Sequence, residues 1–425
     1  MARPSDGLSY YRATANPAYD HPKLQGDHSC DVCVIGAGYT GLSAALELAE
    51  RGYDVIVLEA ETVGWGASGR NGGQVCTGVS CGMEKIEKVA GREAAQKVFD
   101  ISEEAKSLIK TRVAEHEIEC DLKWGYLHAT ERASEADELR HEIDYLEGFG
   151  AEGMTFLDKP ALEDQLGSTR YAAGLREAHA GHLHPLNYCL GLADAAAKAG
   201  ARIYEHSPAI SVDTGANPSA KTEQGTVSAK FMVVGGNAYL GKLVKPLYQR
   251  LMPCGSFILA TEPLGENRAR ALIAGDEAVS NTNFIVDYYR LSADHRMLFG
   301  GHCSYSTLEP KDLGAFMRPR MTAVFPQLGD VKIDYAWGGY IGITMNRIPD
   351  VGRIGDRVYY AQGYSGQGVA LSGMCGKLLA EAIAGQAERF DVMAQFKHQP
   401  FPGGPLRTPA LVLGMLYYRL RDALS

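Results

Sequence analysis

The sequence predicts an α/β protein with two kinds of sheet, one parallel and wound with helices, the other antiparallel. Three observations point there. Residues 30–60 read as strand, glycine turn, helix, strand, which is a βαβ unit. Far along the chain, residues 357–383 repeat strand, glycine turn and helix. Between them, residues 251–261, 284–291 and 296–301 are three apolar or aromatic strand candidates followed by one helix at 312–325, without the βα alternation that a parallel sheet requires.

The first unit opens Cys30-Asp-Val-Cys33-Val-Ile-Gly36-Ala-Gly38-Tyr-Thr-Gly41, runs through an amphipathic segment at 42–51 and closes on Asp54-Val-Ile-Val-Leu-Glu59. In a dinucleotide-binding unit Gly36 makes the tight turn, Gly38 lets the backbone reach a pyrophosphate and Gly41 lets helix and strand approach closely. The orphan amides at the helix start favour an anion. Glu59 ends the second strand where a carboxylate accepts hydrogen bonds from a ribose, and its charge disfavours the 2′-phosphate of NADP. The loop at 62–75 then gathers five glycines with Ser68, Arg70 and Asn71. Such a loop can run beside phosphates or an aromatic ring system, with a surface hairpin turn as the alternative.

Residues 84–114 carry apolar side chains at helical spacing, 122–129 read as a short strand, and 133–149 as a charged amphipathic helix with a solvated face. His182 and His184 lie two apart, on one face of any strand, but no neighbouring Asp, Glu or Cys completes a ligand set and no metal is expected. Pro185 starts a helix that Gly200 ends, and 201–205 is a further strand. A strand at 226–234 runs straight into Gly235 and Gly236, again a close backbone approach. Residues 334–344 form another strand, and 357–362 feed Gly363-Tyr-Ser-Gly366-Gln367-Gly368 at the head of an apolar helix. That helix start is a site for an anion, a carbonyl or the electron-rich edge of a reduced flavin.

A chain of 425 residues can bury two cores, and a formal net charge of −9 argues against a nucleic-acid partner. Nine cysteines are scattered, and Cys30-x-x-Cys33 spans a buried strand with no second pair to complete a zinc site, so both are expected in the core of a cytoplasmic protein. Residues 1–27 lack a secretory apolar stretch. The apolar run at 409–418 is about half a membrane span and reads as a helix docked on the body, with a membrane-surface helix as the alternative.

Two glycine-rich helix starts with one ribose-binding unit favour a single extended cofactor, FAD, over NAD. The motifs together resemble the D-amino-acid oxidase and glycine/sarcosine oxidase superfamily of flavoproteins. The likeness is carried by Tyr10-Tyr11, the Gly36 turn, Gly66-Ala-Ser68-Gly-Arg70-Asn-Gly-Gly-Gln74, His184-Pro-Leu-Asn, Gly236-Asn-Ala-Tyr-Leu-Gly, Met252-Pro-Cys-Gly, Asp287-Tyr-Tyr-Arg-Leu-Ser-Ala-Asp, Phe325-Pro-Gln-Leu, the Gly363 turn and Phe401-Pro-Gly-Gly. The resemblance implies a Rossmann-like FAD-binding domain with an antiparallel-sheet substrate domain over the flavin. The segments expected are 1–95, 180–245 and 331–386 for FAD, 96–179 and 246–330 for substrate, and 387–425 as a docking segment. It also implies oxidation of a small amine to an imine, with molecular oxygen as the usual acceptor.

Residue by residue, Gly36, Gly38, Gly41, Glu59, Ser68, Arg70, Gly235, Gly366, Gln367 and Gly368 match cofactor positions, Arg70 having a tie between loop and sheet as its alternative. Tyr288, Tyr289, His302 and Trp337 form the candidate substrate pocket, since aromatic walls hold an aliphatic amine and its cation; packing within the core is the alternative for each. Two departures stand out. Relatives that attach FAD covalently use a cysteine shortly after the strand at 334–343, where this chain reads Gly342-Ile-Thr-Met-Asn-Arg, so non-covalent FAD is expected. A lysine that helps oxygen accept electrons in those relatives falls on Leu298 here, with His302 on a family histidine.

Overall fold

Val55, Ile56, Val57 and Leu58 are buried without alternation, as a strand covered on both faces must be. They form the strand Val55–Leu58, and their side chains divide between two cores. Val55 and Val57 join Val32 and Val34 under the helices, while Ile56 and Leu58 join Cys33 and Ile35 on the far face. A computed structural model describes residues 8–283, 285–304, 309–402 and 404, with the backbone alone for 302–304.

The first sheet runs in the order Asp350–Ile354, Val358–Gln362, Thr226–Val234, His28–Ile35, Val55–Leu58, Arg202–Tyr204. All of these pairings are parallel except the edge strand Asp350–Ile354, and a small hairpin, Ser211–Asp213 with Ser219–Lys221, adds to Thr226–Val234. Ile35 sits opposite both Leu58 and Val234. The residues that follow them, Gly36, Glu59 and Gly235, therefore emerge together where the chain departs to opposite sides of the central strand, the place where open α/β sheets bind ligands. The helices Tyr39–Glu50, Arg92–Glu115, Pro185–Lys198 and Val369–Ile383 cover one face.

The expected helix at 84–114 is two helices, Met83–Ala90 and Arg92–Glu115. Gly91, at φ +83, breaks it, and the apolar spacing runs through the break because both helices face the same core.

The second sheet runs Ile333–Ile343, Met252–Thr261, Met297–Ser304, Tyr288–Leu291, Ala278–Asn281, Lys123–Thr130, Ala173–His182, Gln74–Val75, with Met154–Asp158 beside Ala173–His182. It is antiparallel save where Ala278–Asn281 runs parallel to Lys123–Thr130. One face packs Leu127, Val279, Tyr289, Phe299 and Phe257 on the helix Leu313–Val324. Strands Gln74–Val75 and Ile333–Ile343, in segments expected to hold the cofactor, both belong to this sheet. Beyond residue 386 the helix Glu388–Ala394 buries Phe390 and Met393 in the main core, while 409–418 lie outside the described residues. No helix among the described residues is long and apolar enough to cross a membrane. Cys30 and Cys33 are both buried in the strand His28–Ile35 and unpaired, and burial pushes the Cys30 thiol up to about 12.

Candidate active site

The ends of the parallel strands open into a cleft of about 1630 Å³, counting its open mouth. Gly36, at φ +99, turns the chain out of the central strand, with its amide on Leu58 O at 2.8 Å. Across the turn, Glu59 Oε2 accepts from the Ala37 amide at 2.7 Å and Oε1 from the Glu61 amide at 3.0 Å. Burial raises the Glu59 pKa, and the amides of Glu61, Ala37 and Ala60 pull it back. Ser68 Oγ accepts from the Tyr39 amide at 3.1 Å, which places the hydroxyl over the start of the helix Tyr39–Glu50.

The second glycine turn reaches the same cleft. Tyr364 OH lies 2.7 Å from Thr40 Oγ1, so the turn at 363–368 is tied to the first turn of the helix Tyr39–Glu50. Gly36, Gly38, Glu59, Ser68, Gly235, Gly366 and Gly368 all line the cleft. Gln367 sits between two of them with its buried Oε1 lacking a hydrogen-bond partner among the described residues, an acceptor left for a donor from a ligand. Gly41 lies behind the turn, where a Cβ would stand 1.9 Å from Gly36 O.

This donor set fits FAD. It offers backbone amides at two helix starts, a carboxylate at the end of the second strand and an unsatisfied acceptor at the far turn, all along one wall.

Arg70 stands outside the cleft. Its Nε donates to Trp65 O at 2.7 Å and Nη1 to Gly338 O at 3.3 Å, with the guanidinium 4.8 Å over the Trp65 ring. It ties the loop to the second sheet, the alternative that the sequence left open.

Of the pocket candidates, Tyr288 and Trp337 meet in one cluster, while Tyr289 lies in the other core. Tyr288 does face the glycine loop: a Cβ on Gly72 would meet its ring at 2.8 Å, and its hydroxyl is 3.1 Å from Ser256 Oγ. Tyr289 is a correction. It points to the opposite face, stacked on Phe299 at 5.4 Å with its hydroxyl 3.0 Å from that of Tyr171, because consecutive residues of a strand alternate. Trp337 is a second correction, fully buried against Tyr11, Ile258 and Leu298 and donating Nε1 to Arg70 O at 3.0 Å. The side chain of His302 lies outside the described residues; its backbone falls where the pairing of Met297–Ser304 with Met252–Thr261 shifts.

Asn237 and Tyr239, which also line the cleft, went unassigned from sequence. Asn237 takes φ +41 and its Oδ1 accepts from the Gly363 amide at 3.0 Å, joining segments 126 residues apart. The readable signal was an asparagine directly after a strand and two glycines, since asparagine tolerates the left-handed region. Tyr239 OH accepts from the Tyr340 amide at 2.9 Å, bracing the second sheet on the cleft wall, and only the fold reveals that.

Among known proteins, the chain is 42% identical over 419 residues to gamma-glutamylputrescine oxidoreductase of Escherichia coli, covering 98% of each. It is 23% identical over 395 residues to glycine oxidase of Bacillus licheniformis, covering 86% of this chain and 96% of that one. The crystal structure of glycine oxidase from Geobacillus kaustophilus superposes with a TM-score of 0.73 at 21% identity, over 84% of this chain and 95% of that chain, which shows a shared fold. Residues 31–382 match the family model described as DAO, FAD dependent oxidoreductase. With its two glycine turns on one cleft and that match across most of its length, the chain belongs to the FAD dependent oxidoreductase family.

Proposed function

We propose that this enzyme oxidises the free primary amine of gamma-glutamylputrescine. The amine-bearing carbon loses two electrons and, with its nitrogen, two protons, giving an imine. Water adds, ammonia leaves, and gamma-glutamyl-aminobutyraldehyde remains. Oxygen, taking the two electrons and two protons, becomes hydrogen peroxide. The observation that carries the reading is the 42% identity along the whole chain to an oxidoreductase of that substrate.

The cation on the cleft side of the second sheet supports it. Arg290 shares a face with Tyr288, where an amino-acid oxidase needs an arginine to grip an α-carboxylate. Here Nε donates to Gly72 O at 2.7 Å, Nη1 to Leu291 O at 3.1 Å, and Nη2 to Leu183 O at 3.0 Å and Tyr11 OH at 3.3 Å. A guanidinium so committed to backbone favours an amine with no carboxylate on the reacting carbon.

The flavin, when bound, supplies the two-electron acceptor. In this reading the amides at Gly36–Tyr39, Glu59, Ser68, Gly235 and the turn Gly366, Gln367 and Gly368 hold it without a covalent bond, while Arg70 and Trp337 fix the loop beside it. Tyr288 forms the wall against which the aliphatic amine rests. Residues 1–95, 180–245 and 331–386 serve the cofactor, 96–179 and 246–330 the substrate, and the protein works in the cytoplasm.

Anaerobic mixing with gamma-glutamylputrescine, putrescine, spermidine, sarcosine and D-alanine tests this. Bleaching of the flavin by the glutamylated amine alone, reversed by air with release of peroxide, is expected. Bleaching by sarcosine or D-alanine instead would replace the substrate, and slow recovery in air would make the enzyme a dehydrogenase. Only the neutral amine has a lone pair to drive the electrons out of its CH bond, so the anaerobic bleaching rate should rise with pH through one ionisation; a flat profile would count against that.

A further inference from the structure

On the face of the second sheet that carries Tyr288, a band of polar side chains runs across neighbouring strands. Ser256 Oγ is 3.1 Å from Tyr288 OH; Tyr288 sits opposite Ser280; Ser280 Oγ is 3.2 Å from His128 Nδ1; and His128 Nε2 is 2.9 Å from Glu177 Oε1. On the opposite face of these strands Leu127, Val279 and Tyr289 pack into an apolar core. The Tyr288 end of this line faces the glycine loop at Gly72.

It ends on a buried carboxylate that His128 meets through one oxygen. Glu177 is 6% exposed, and its Oε2 is buried with no hydrogen-bond partner among the described residues. Burial raises its pKa, but the bond and charge of His128, with the Thr77 hydroxyl and the charge of Lys106, outweigh that and lower it. Lys106, the buried cation beside it, gives its bonds to Thr77 Oγ1 at 2.6 Å and Glu103 Oε1 at 2.8 Å. A buried carboxylate oxygen without a partner is costly unless something completes it. Nearer the loop, Gln74 Nε2 is also buried without a partner among the described residues, and both the Gln74 Oε1 and the Tyr288 ring crowd the space above Gly72. The face thus presents a spare donor near Tyr288 and a spare anionic acceptor farther out.

We propose that this band reads the far end of the substrate: Glu177 receives a distal ammonium group, and Gln74 donates to a carbonyl partway along the chain. The inference rests on the substrate class proposed above and deepens it. Three strand spacings separate Tyr288 from the strand of Glu177, roughly 14 Å. In gamma-glutamylputrescine some nine bonds lie between the reacting carbon and the α-nitrogen, roughly 11 Å when extended. A hydrogen bond of roughly 3 Å closes the difference.

The test compares gamma-glutamylputrescine with N-glutarylputrescine, which keeps the reacting amine, the amide and the carboxylate but lacks the α-ammonium, on wild type and Glu177→Gln in the anaerobic half-reaction. In the wild type the glutaryl compound should bind at least about tenfold more weakly at a similar limiting rate, the scale of a charge-assisted hydrogen bond. Glu177→Gln should weaken gamma-glutamylputrescine by the same factor and leave the glutaryl compound unchanged. Equal binding of both compounds by the wild type, or equal weakening of both by the variant, overturns the proposal. The wild-type comparison holds even if the variant folds poorly. A wild type that no glutamylated amine bleaches sinks the substrate assignment itself, which is a different failure.

Discussion

Gly41→Val protein is expected to purify folded but without yellow colour. A Cβ at Gly41 would lie 1.9 Å from Gly36 O and 3.1 Å from Val34 Cγ1. The first of these is a backbone carbonyl and cannot rotate away. The turn that would have to move is held on both sides, by the Gly36 amide on Leu58 O at 2.8 Å and the Ala37 amide on Glu59 Oε2 at 2.7 Å. Overpacking of this kind costs about 1–3 kcal/mol, and here it falls on the turn that meets the cofactor, so FAD affinity should drop roughly 10- to 100-fold. Gly52→Ala provides the contrast. Gly52 takes φ +83 with nothing within 4 Å of a new Cβ, so the substitution strains the backbone by about 1 kcal/mol and leaves the flavin in place. Flavin-to-protein absorbance after desalting, followed by titration of FAD into the colourless protein, reads both. Full flavin content in Gly41→Val would show that the Gly36 turn is not where the dinucleotide is held.

The cofactor side was legible because its signals are local. A turn with φ +99 at Gly36, a carboxylate one residue beyond a buried strand, and an apolar helix behind glycines are all written in short stretches of chain. The substrate side was not, because it depends on which face of a strand each residue takes. Tyr288 and Tyr289 are neighbours of one type, and the register against Gly300 and Phe299 sends one to the glycine loop and the other under the sheet. Sequence gives no register where aromatic side chains occupy both faces. Trp337 takes the face of Tyr288 but is covered there by Tyr11, at 5.1 Å between ring centres, a residue from the far N-terminal part of the chain. The carboxylate of Glu177 was hidden in a stretch where His182 and His184 drew attention, since the strand that brings His128 to it lies elsewhere in the sequence.

Acid should unfold this protein well above the range of ordinary carboxylates, through His182 and His184. Both are buried, at 1% and 3% exposed, and burial, with the nearby charge of Arg290, lowers each from 6.5 to about 3. His184 Nδ1 accepts from the Asn187 amide at 3.1 Å, capping the helix Pro185–Lys198, so its proton is on Nε2, facing Thr14 Oγ1 at 3.1 Å. His182 Nε2 donates to Asp276 O at 2.7 Å. Among the described residues, neither ring has an anion to welcome a second proton. The unfolded chain therefore binds protons below pH 6.5 that the folded chain refuses, and stability falls as pH drops through 6.5. By pH 5 each histidine should remove about 2 kcal/mol, a large part of the 5–15 kcal/mol typical of a folded protein. His128 does not mask this. Its pKa is raised by Glu177, so its contribution is steady below 6.5 and is lost only as pH climbs above that value. His184→Asn keeps a side chain suited to the helix cap and removes one titration. Its thermal midpoint relative to wild type should be unchanged or lower at pH 7.5 and should shift in the variant's favour at pH 5; a difference between the two proteins that does not move with pH would mean that His184 takes up its proton without unfolding.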